Sequence, residues 1–285
     1  MKRIVITVLA ALCCLYAGAA GQDSINREIY NRVAAAMSGR EGLSTGELTV
    51  QVALSMLGTP YVGGTLEGET EELRIFLDKT DCILFVESCV CMALTLKGLA
   101  IVQGGTPQPA DPSYELYCAN VRNMRYRSGT VDGYASRLHY TSEWILQAES
   151  NGVLREYSAE IGVPREQHFS FMTTHRDLYP ALKDNPGQTG LVRAAEKSLE
   201  DAAPYYYVPQ TRLSEPSAAG KIHCGDIIFI VSGAEGLDIS HVAIAYEQDG
   251  AMHFIHASTK AGKVIVEPRT LAAYATRGIR VARLL

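Results

Sequence analysis

Apolar positions recur at helical spacing in three stretches of the first hundred residues. Ile25, Ile29, Val33 and Met37 share one face of a helix over 25–37, broken by Gly39 and Gly42. Ser44 or Thr45 caps a second helix, with Glu47 close behind and Leu48, Val52 and Met56 on one face, ended by Gly58-Thr59-Pro60. The third is the most apolar. From Cys82 to Leu96 the residues Ile83, Val86, Val90, Ala93 and Leu94 recur in register, and Gly98 is the stop. The last third of the chain changes period. Residues 226–231 form a strand, and 241–247 and 251–257 form two more, joined by Asp249-Gly250, a type I′ hairpin signal. Residues 264–267 and 279–285 add further strands. Between these regions the pattern is less regular. A loop runs over 104–112, and 114–207 mixes short helical patterns (141–146, 191–199) with polar connectors. This middle stretch carries Arg122, Arg125, Arg127, Arg137, His139, Tyr140, Trp144, His168 and His175, enough polar chemistry to wall a cleft. Glu67, Glu69, Glu71 and Glu72 read as a solvated acidic stretch.

Helices first and antiparallel strands last give an α+β class. The 285 residues suffice for one large domain, and a net charge of -5 argues against a nucleic-acid partner or an anionic membrane. Lys2 and Arg3 precede an apolar run from Ile4 to Ala17, followed by small residues to Gly21. That is the layout of a secretory signal peptide. The expected organisation is a signal peptide over 1–21 and a single domain over 22–285, elaborated at about 100–220. The expected location is outside the inner membrane, in the periplasm. Lipoprotein anchoring at Cys13 or Cys14 is less favoured, since Leu12 stands where a small residue is needed.

Export leaves Cys82, Cys89, Cys91, Cys118 and Cys224, an odd number, so at least one thiol stays free within the chain. Cys82 and Cys89 on one helix lie about 10 Å apart along its axis, beyond the reach of a disulfide. Bridges among Cys89, Cys91, Cys118 and Cys224 stay open. Cys82 opens its helix, where unpaired N–H groups and the positive dipole end favour a thiolate and can hold an oxyanion. The competing reading is a small buried hydrophobe. The hairpin offers a base. With a two-residue turn, Gln248 faces Ala251, Ala243 faces His256 and His241 faces Ser258. His241 and His256 then share a face as diagonal neighbours roughly 7 Å apart, and His253 falls on the opposite face. A converging pair is what a general base and its orienting partner require. Zinc is the other reading of His241, His256, His223 and Cys224, but neither H-E-x-x-H nor a paired C-x-x-C occurs, so no metal and no cofactor is expected.

The order Gly58-Thr59-Pro60-Tyr61-Val62-Gly63-Gly64, Asp81-Cys82, Gly225-Asp226-Ile227-Ile228, Ser240-His241-Val242-Ala243-Ile244 and Phe254-Ile255-His256-Ala257 resembles the NlpC/P60 cysteine peptidase superfamily. Three further segments look like its DUF1460 branch, which is N-acetylmuramoyl-L-alanine amidase-like: Ser136-Arg137-Leu138-His139-Tyr140, Phe171-Met172-Thr173-Thr174-His175 and Gly236-Leu237-Asp238-Ile239-Ser240-His241. The resemblance implies a papain-like α+β core, with the nucleophile at a helix N-terminus packed on an antiparallel sheet, and a large insertion. It implies Cys82 as nucleophile, His241 as base, His256 as orienting residue and Tyr61 beside the oxyanion, with the Cys82 thiolate paired to a protonated His241. Asp81, Arg137, His139, Tyr140 and Asp238 sit in family-typical segments as substrate-cleft candidates. Many NlpC/P60 endopeptidases continue Asp-Cys with Ser-Gly, polar residues that help read a free peptide amine; here Ile83 and Leu84 follow. The implied reaction is hydrolysis of the muramic lactyl–L-Ala amide in muropeptides, anhydro forms in particular, with no obligate protein partner. A γ-D-glutamyl-diamino acid endopeptidase and a non-catalytic cell-wall binder are the alternatives.

Overall fold

The computed structural model describes residues 21–202 and 204–285; the leader expected over 1–21 falls, but for Gly21, outside them. Residues 21–37 are helical and are called α1. Helix α2 (Thr45–Ser55) begins with a complete capping box, in which Ser44 accepts from the Glu47 N–H and the Glu47 carboxylate accepts from the Ser44 N–H. Helix α3 (Cys82–Leu96) starts on Asp81, whose carboxylate accepts from the Leu84 N–H at 2.9 Å. Helices α4 (Tyr114–Arg125), α5 (Thr141–Ser150) and α6 (Pro186–Asp201) follow in the middle of the chain.

The apolar face expected for α3 understates its burial. Every residue from Leu84 to Thr95 is buried, because α3 lies between α2, α4 and the sheet. Its one charged residue is Glu87, 1% exposed, which meets Arg125 of α4. Arg125 Nη2 and Nε donate to the same Glu87 oxygen at 2.5 and 3.0 Å. Burial alone would lower the Arg125 pKa, but Glu87 outweighs it and the guanidinium stays charged. The pair fixes the angle of α4 against the helix that carries Cys82.

Six strands make one antiparallel sheet: β1 (Leu154–Glu156), β2 (Ile227–Val231), β3 (Ile239–Gln248), β4 (Ala251–Ser258), β5 (Lys263–Val266) and β6 (Ile279–Leu284), in spatial order β1-β6-β2-β3-β4-β5. Asp249 and Gly250 both have positive φ (52° and 75°), as a type I′ turn requires, and Gln248 pairs with Ala251. Both faces are covered. Ile227, Phe229, Val242, Ile244, Ile255 and Ala257 join the main core with α3. Ile228, Ile230, Ala243, Ala245 and Phe254 join a second core roofed by Val208, Leu213, Ala218, Leu271 and Ala275. The Gly225-Asp226 segment is structural. A Cβ on Gly225 (φ 92°) would lie 2.6 Å from the Gly46 carbonyl, and the buried Asp226 carboxylate binds Arg283 of β6 at 2.8 Å.

The middle stretch builds a third, smaller core from Tyr134, Tyr140, Phe169, Met172, Leu182, Val192 and Leu199. The 104–112 loop contains a short strand at Gln108–Pro109 that pairs with Leu99–Ala100. The acidic stretch is not wholly solvated. Glu71, 4% exposed in its side chain, accepts from the Tyr126 hydroxyl at 2.7 Å, and Glu67 and Glu71 flank Arg137 at 2.8 and 3.4 Å. All five cysteines of the described residues are free.

Replacing Arg125 with Met strands a buried carboxylate, so Arg125→Met is expected to lose about 3 kcal/mol of stability by urea denaturation. The double change with Glu87→Met should recover most of that loss. A single variant as stable as the wild type would remove this pair from the account of how α3 is held.

Candidate active site

Cys82 is brought to the sheet at a place where the sheet has been opened. The β3–β4 ladder runs from Gln248↔Ala251 to Ile244↔Ile255 and stops there. The pairs expected next, Ala243 with His256 and His241 with Ser258, are not part of the ladder. The β4–β5 ladder meanwhile continues through His256↔Ile265 to Ser258↔Lys263, so β4 stays with its other neighbour. Helix α3 packs against both β3 and β4. The Cys82 thiol is at the first position of that helix. It is half-buried.

The two histidines converge as the hairpin parity predicts, and more closely. His241 Nε2 lies 2.6 Å from His256 Nδ1, with the rings 4.9 Å apart and perpendicular. His253 is on the other face, its Nδ1 bonded to the Glu267 carbonyl at 3.0 Å. His256 is 1% exposed, and the other nitrogen of its ring, Nε2, faces Glu267 Oε2 at 3.4 Å. The Tyr274 ring packs 6.4 Å from His241 and 5.8 Å from His256, and a charge on Cys82 would raise the Tyr274 pKa. Tyr274 and Glu267 escaped the sequence reading. Glu267 ends the strand expected over 264–267, and its parity with His256 across β4 and β5 was the available clue.

Tyr61 is stitched beside the nucleophile position by backbone bonds. The Tyr61 N–H donates to the Gly262 carbonyl, the Val62 N–H to the Thr80 carbonyl, and the Thr80 N–H to the Pro60 carbonyl, each at 2.9 Å. Burial first, then any charge on Cys82 and that of Asp81, raises the Tyr61 pKa, so its hydroxyl stays a donor at neutral pH.

The site is electrically quiet at rest. Burial, and after it the Asp81 carboxylate, pushes the Cys82 thiol up to about 11, against the pull of the Val242, Ile83 and Cys82 N–H groups. Burial, reinforced by His256, holds His241 at about 4, with Glu267 opposing. Both shifts favour the uncharged forms, against the thiolate–imidazolium pair that the family resemblance implies. Two uncharged partners cost less to bury than two ions.

A cleft of about 210 Å³ adjoins this site, lined by Asp81 and Ile83 on one side and by Arg137, His139 and Trp144 on the other. Three of the five substrate candidates, Asp81, Arg137 and His139, are therefore together. Tyr140 and Asp238 are elsewhere. The Tyr140 hydroxyl donates to Glu196 at 2.8 Å inside the third core, and Asp238 accepts from the Ser142 N–H at 2.6 Å in the first turn of α5. The first bond ties the middle stretch together and the second ties α5 to the segment just before β3.

The helix-on-sheet core with its extra middle layer defines the α+β, papain-like class related to NlpC/P60. Within that class the chain belongs to the AmiA-like family, described as N-acetylmuramoyl-L-alanine amidase-like, whose pattern matches residues 51–279. Its structure is similar to an N-acetylmuramoyl-L-alanine amidase from Bacteroides uniformis ATCC 8492, with 31% identity over 85% of this chain and 99% of that one and a TM-score of 0.75. A putative xylanase from Bacteroides fragilis is 37% identical over 81% of this chain and 98% of that one, with a TM-score of 0.71. A DUF1460 protein from Legionella pneumophila, 19% identical over 94% of this chain and 95% of that one, shares the fold with a TM-score of 0.66. No curated protein matches the chain.

His139 gives a pH test. Burial, then Arg137, holds it at about 3, despite its bond to the Tyr134 carbonyl. His241 and His256 are also depressed, each to about 4. The unfolded chain, with histidines near 6.5, takes up these protons first. Their contribution to stability is present above about pH 6.5 and is lost as pH falls toward 4. The gap in urea midpoint between the wild type and His139→Gln should narrow across that window; a constant gap would contradict it.

Proposed function

We propose that this protein is a cysteine-dependent N-acetylmuramoyl-L-alanine amidase, cleaving the lactyl–L-Ala amide of muropeptides, anhydro-muropeptides above all. The observation that carries this reading is the convergence of His241 and His256, 2.6 Å apart on β3 and β4, the two strands against which the helix opened by Cys82 packs. Relationship along most of the chain to the B. uniformis amidase supports the choice of bond. Ile83, on the cleft wall, offers no polar group to a free peptide amine, which speaks against the γ-D-glutamyl endopeptidase reading.

In this mechanism His241 Nε2 is engaged by His256, and Nδ1 takes the Cys82 proton as sulfur attacks the lactyl carbonyl. The Cys82 N–H, unpaired at the helix start, and the Tyr61 hydroxyl receive the oxyanion. The C–N bond breaks as His241 returns the proton to the L-Ala amine. Water, deprotonated by His241, then attacks the thioester; the acyl group leaves as the lactyl carboxylate and the thiol is regenerated. Asp81, Arg137 and His139 line the cleft that holds the stem peptide or the sugar. The protein acts on peptidoglycan fragments after export across the inner membrane, with no cofactor and no nucleic-acid partner.

Incubation with an anhydro-disaccharide tetrapeptide should release the intact tetrapeptide beginning with L-Ala, read by mass spectrometry. Cys82→Ala should lower this by about 10⁴-fold or more with an unchanged melting temperature, and His256→Ala by less, since it transfers no proton to substrate. Release of a peptide beginning at the diamino acid would favour the endopeptidase. Binding without turnover in the wild type would favour the cell-wall binder.

A further inference from the structure

Beyond the His241–His256 contact, the polar line continues. His256 Nε2 is fully buried, and no hydrogen bond of good geometry reaches it among the described residues. The charged atom facing it is Glu267 Oε2, at 3.4 Å. Glu267 itself is 6% exposed in its side chain and sits just after β5, the strand that pairs with β4 under His256. Its other oxygen, Oε1, accepts from Arg269 Nε at 2.7 Å and from the Arg269 N–H at 3.2 Å. The arrangement brings one carboxylate oxygen within 3.4 Å of the ring nitrogen and anchors the other.

We propose that Glu267 is a positioning residue of the active site, which fixes the tautomers of His256 and His241 so that the unprotonated nitrogen of His241 is the one left for Cys82. The proposal rests on reading Cys82 and His241 as the reacting pair. Its logic is that of donors and acceptors. An ionised carboxylate only accepts, so His256 Nε2 must carry a proton. In a neutral ring its Nδ1 is then an acceptor. His241 Nε2, 2.6 Å away, must donate to it, and the His241 Nδ1 lone pair is left free. Each assignment follows from the one before, and the carboxylate starts the sequence.

A purely structural role fits the surroundings less well. Arg269 is 56% exposed in its side chain, so its ion pair with Glu267 lies near water and adds little stability. Burying a carboxylate for so small a return is unfavourable unless its charge is used. Burial works to raise the Glu267 pKa, but the bonds from Arg269 outweigh it and the net shift is downward, which keeps the carboxylate ionised. The groups facing His256 are His241 from β3, Glu267 and Arg269 after β5, and the Tyr274 ring; Phe254 of its own strand adjoins it. Among these Glu267 is the one carboxylate.

The test is Glu267→Gln. A glutamine amide can donate to His256 Nε2, which reverses both tautomers and places the His241 proton on Nδ1. Long-range proton–nitrogen NMR of the imidazoles in the free protein should show both wild-type histidines protonated at Nε2 and His241 of the variant protonated at Nδ1. Iodoacetamide alkylation of Cys82 at pH 7 should slow by about tenfold, and muropeptide turnover should fall in kcat with KM unchanged. Arg269→Ala removes a positive charge near His256 and should move the acid limb of the alkylation profile to higher pH, a change that loss of a structural tie would not produce. Unchanged tautomers and an unchanged alkylation rate in Glu267→Gln would overturn the proposal. If Glu267→Gln does not fold, an unshifted acid limb in Arg269→Ala overturns it. A wild type inert to muropeptides, with the tautomers reversed as stated, would sink the amidase reading and leave this one standing.

Discussion

The contact on which the rest depends is the one between the first residue of α3 and the strand β3. A helix start carries unpaired N–H groups, and a strand whose ladder has ended carries one more. Helix α3, which Cys82 opens, packs against β3 and β4. Both elements must be held against thermal drift for that geometry to persist. The Asp81 cap fixes the helix start, the buried Glu87–Arg125 pair ties α3 to α4, and the bonds among Pro60, Val62, Thr80 and Gly262 bind the approach to the sheet edge. These are separate constraints on one sulfur atom.

The same burial that positions the thiol and the imidazole keeps both uncharged at rest. A neutral pair is cheaper to hold in a half-buried site than an ion pair, and charge then appears only as the reaction proceeds. In the proposed mechanism that charge is received by the Cys82 N–H and the Tyr61 hydroxyl on one side and by His241 backed by His256 on the other. The polar cleft beside them is assembled from the middle stretch, whose Arg137 is itself gripped by Glu67 and Glu71. That grip explains why an acidic segment lies just before α3.

Much of this was legible in the chain, where local rules apply. The capping box at Ser44, the type I′ turn at Asp249-Gly250, and the shared face of His241 and His256 follow from short-range geometry, and each is found. What escaped depends on contacts distant in sequence. The ladder ends early because α3 arrives from 160 residues upstream (Val242 less Cys82), which no strand pattern encodes. Glu71 looked solvated because its partners, Tyr126 and Arg137, come from the middle stretch. Tyr140 and Asp238 looked like cleft residues because polar side chains in a family-typical segment carry no mark of whether they face substrate or Glu196 and Ser142.

The most direct test of the central claim is to catch the acyl-enzyme. The wild-type protein is mixed briefly with an anhydro-disaccharide tetrapeptide, quenched in acid and digested, and the peptide containing Cys82 is weighed. The account predicts an adduct on Cys82 with the mass of the anhydro-muramyl disaccharide joined through its lactyl carbonyl. An adduct carrying stem-peptide residues, or one on any other side chain, would contradict it.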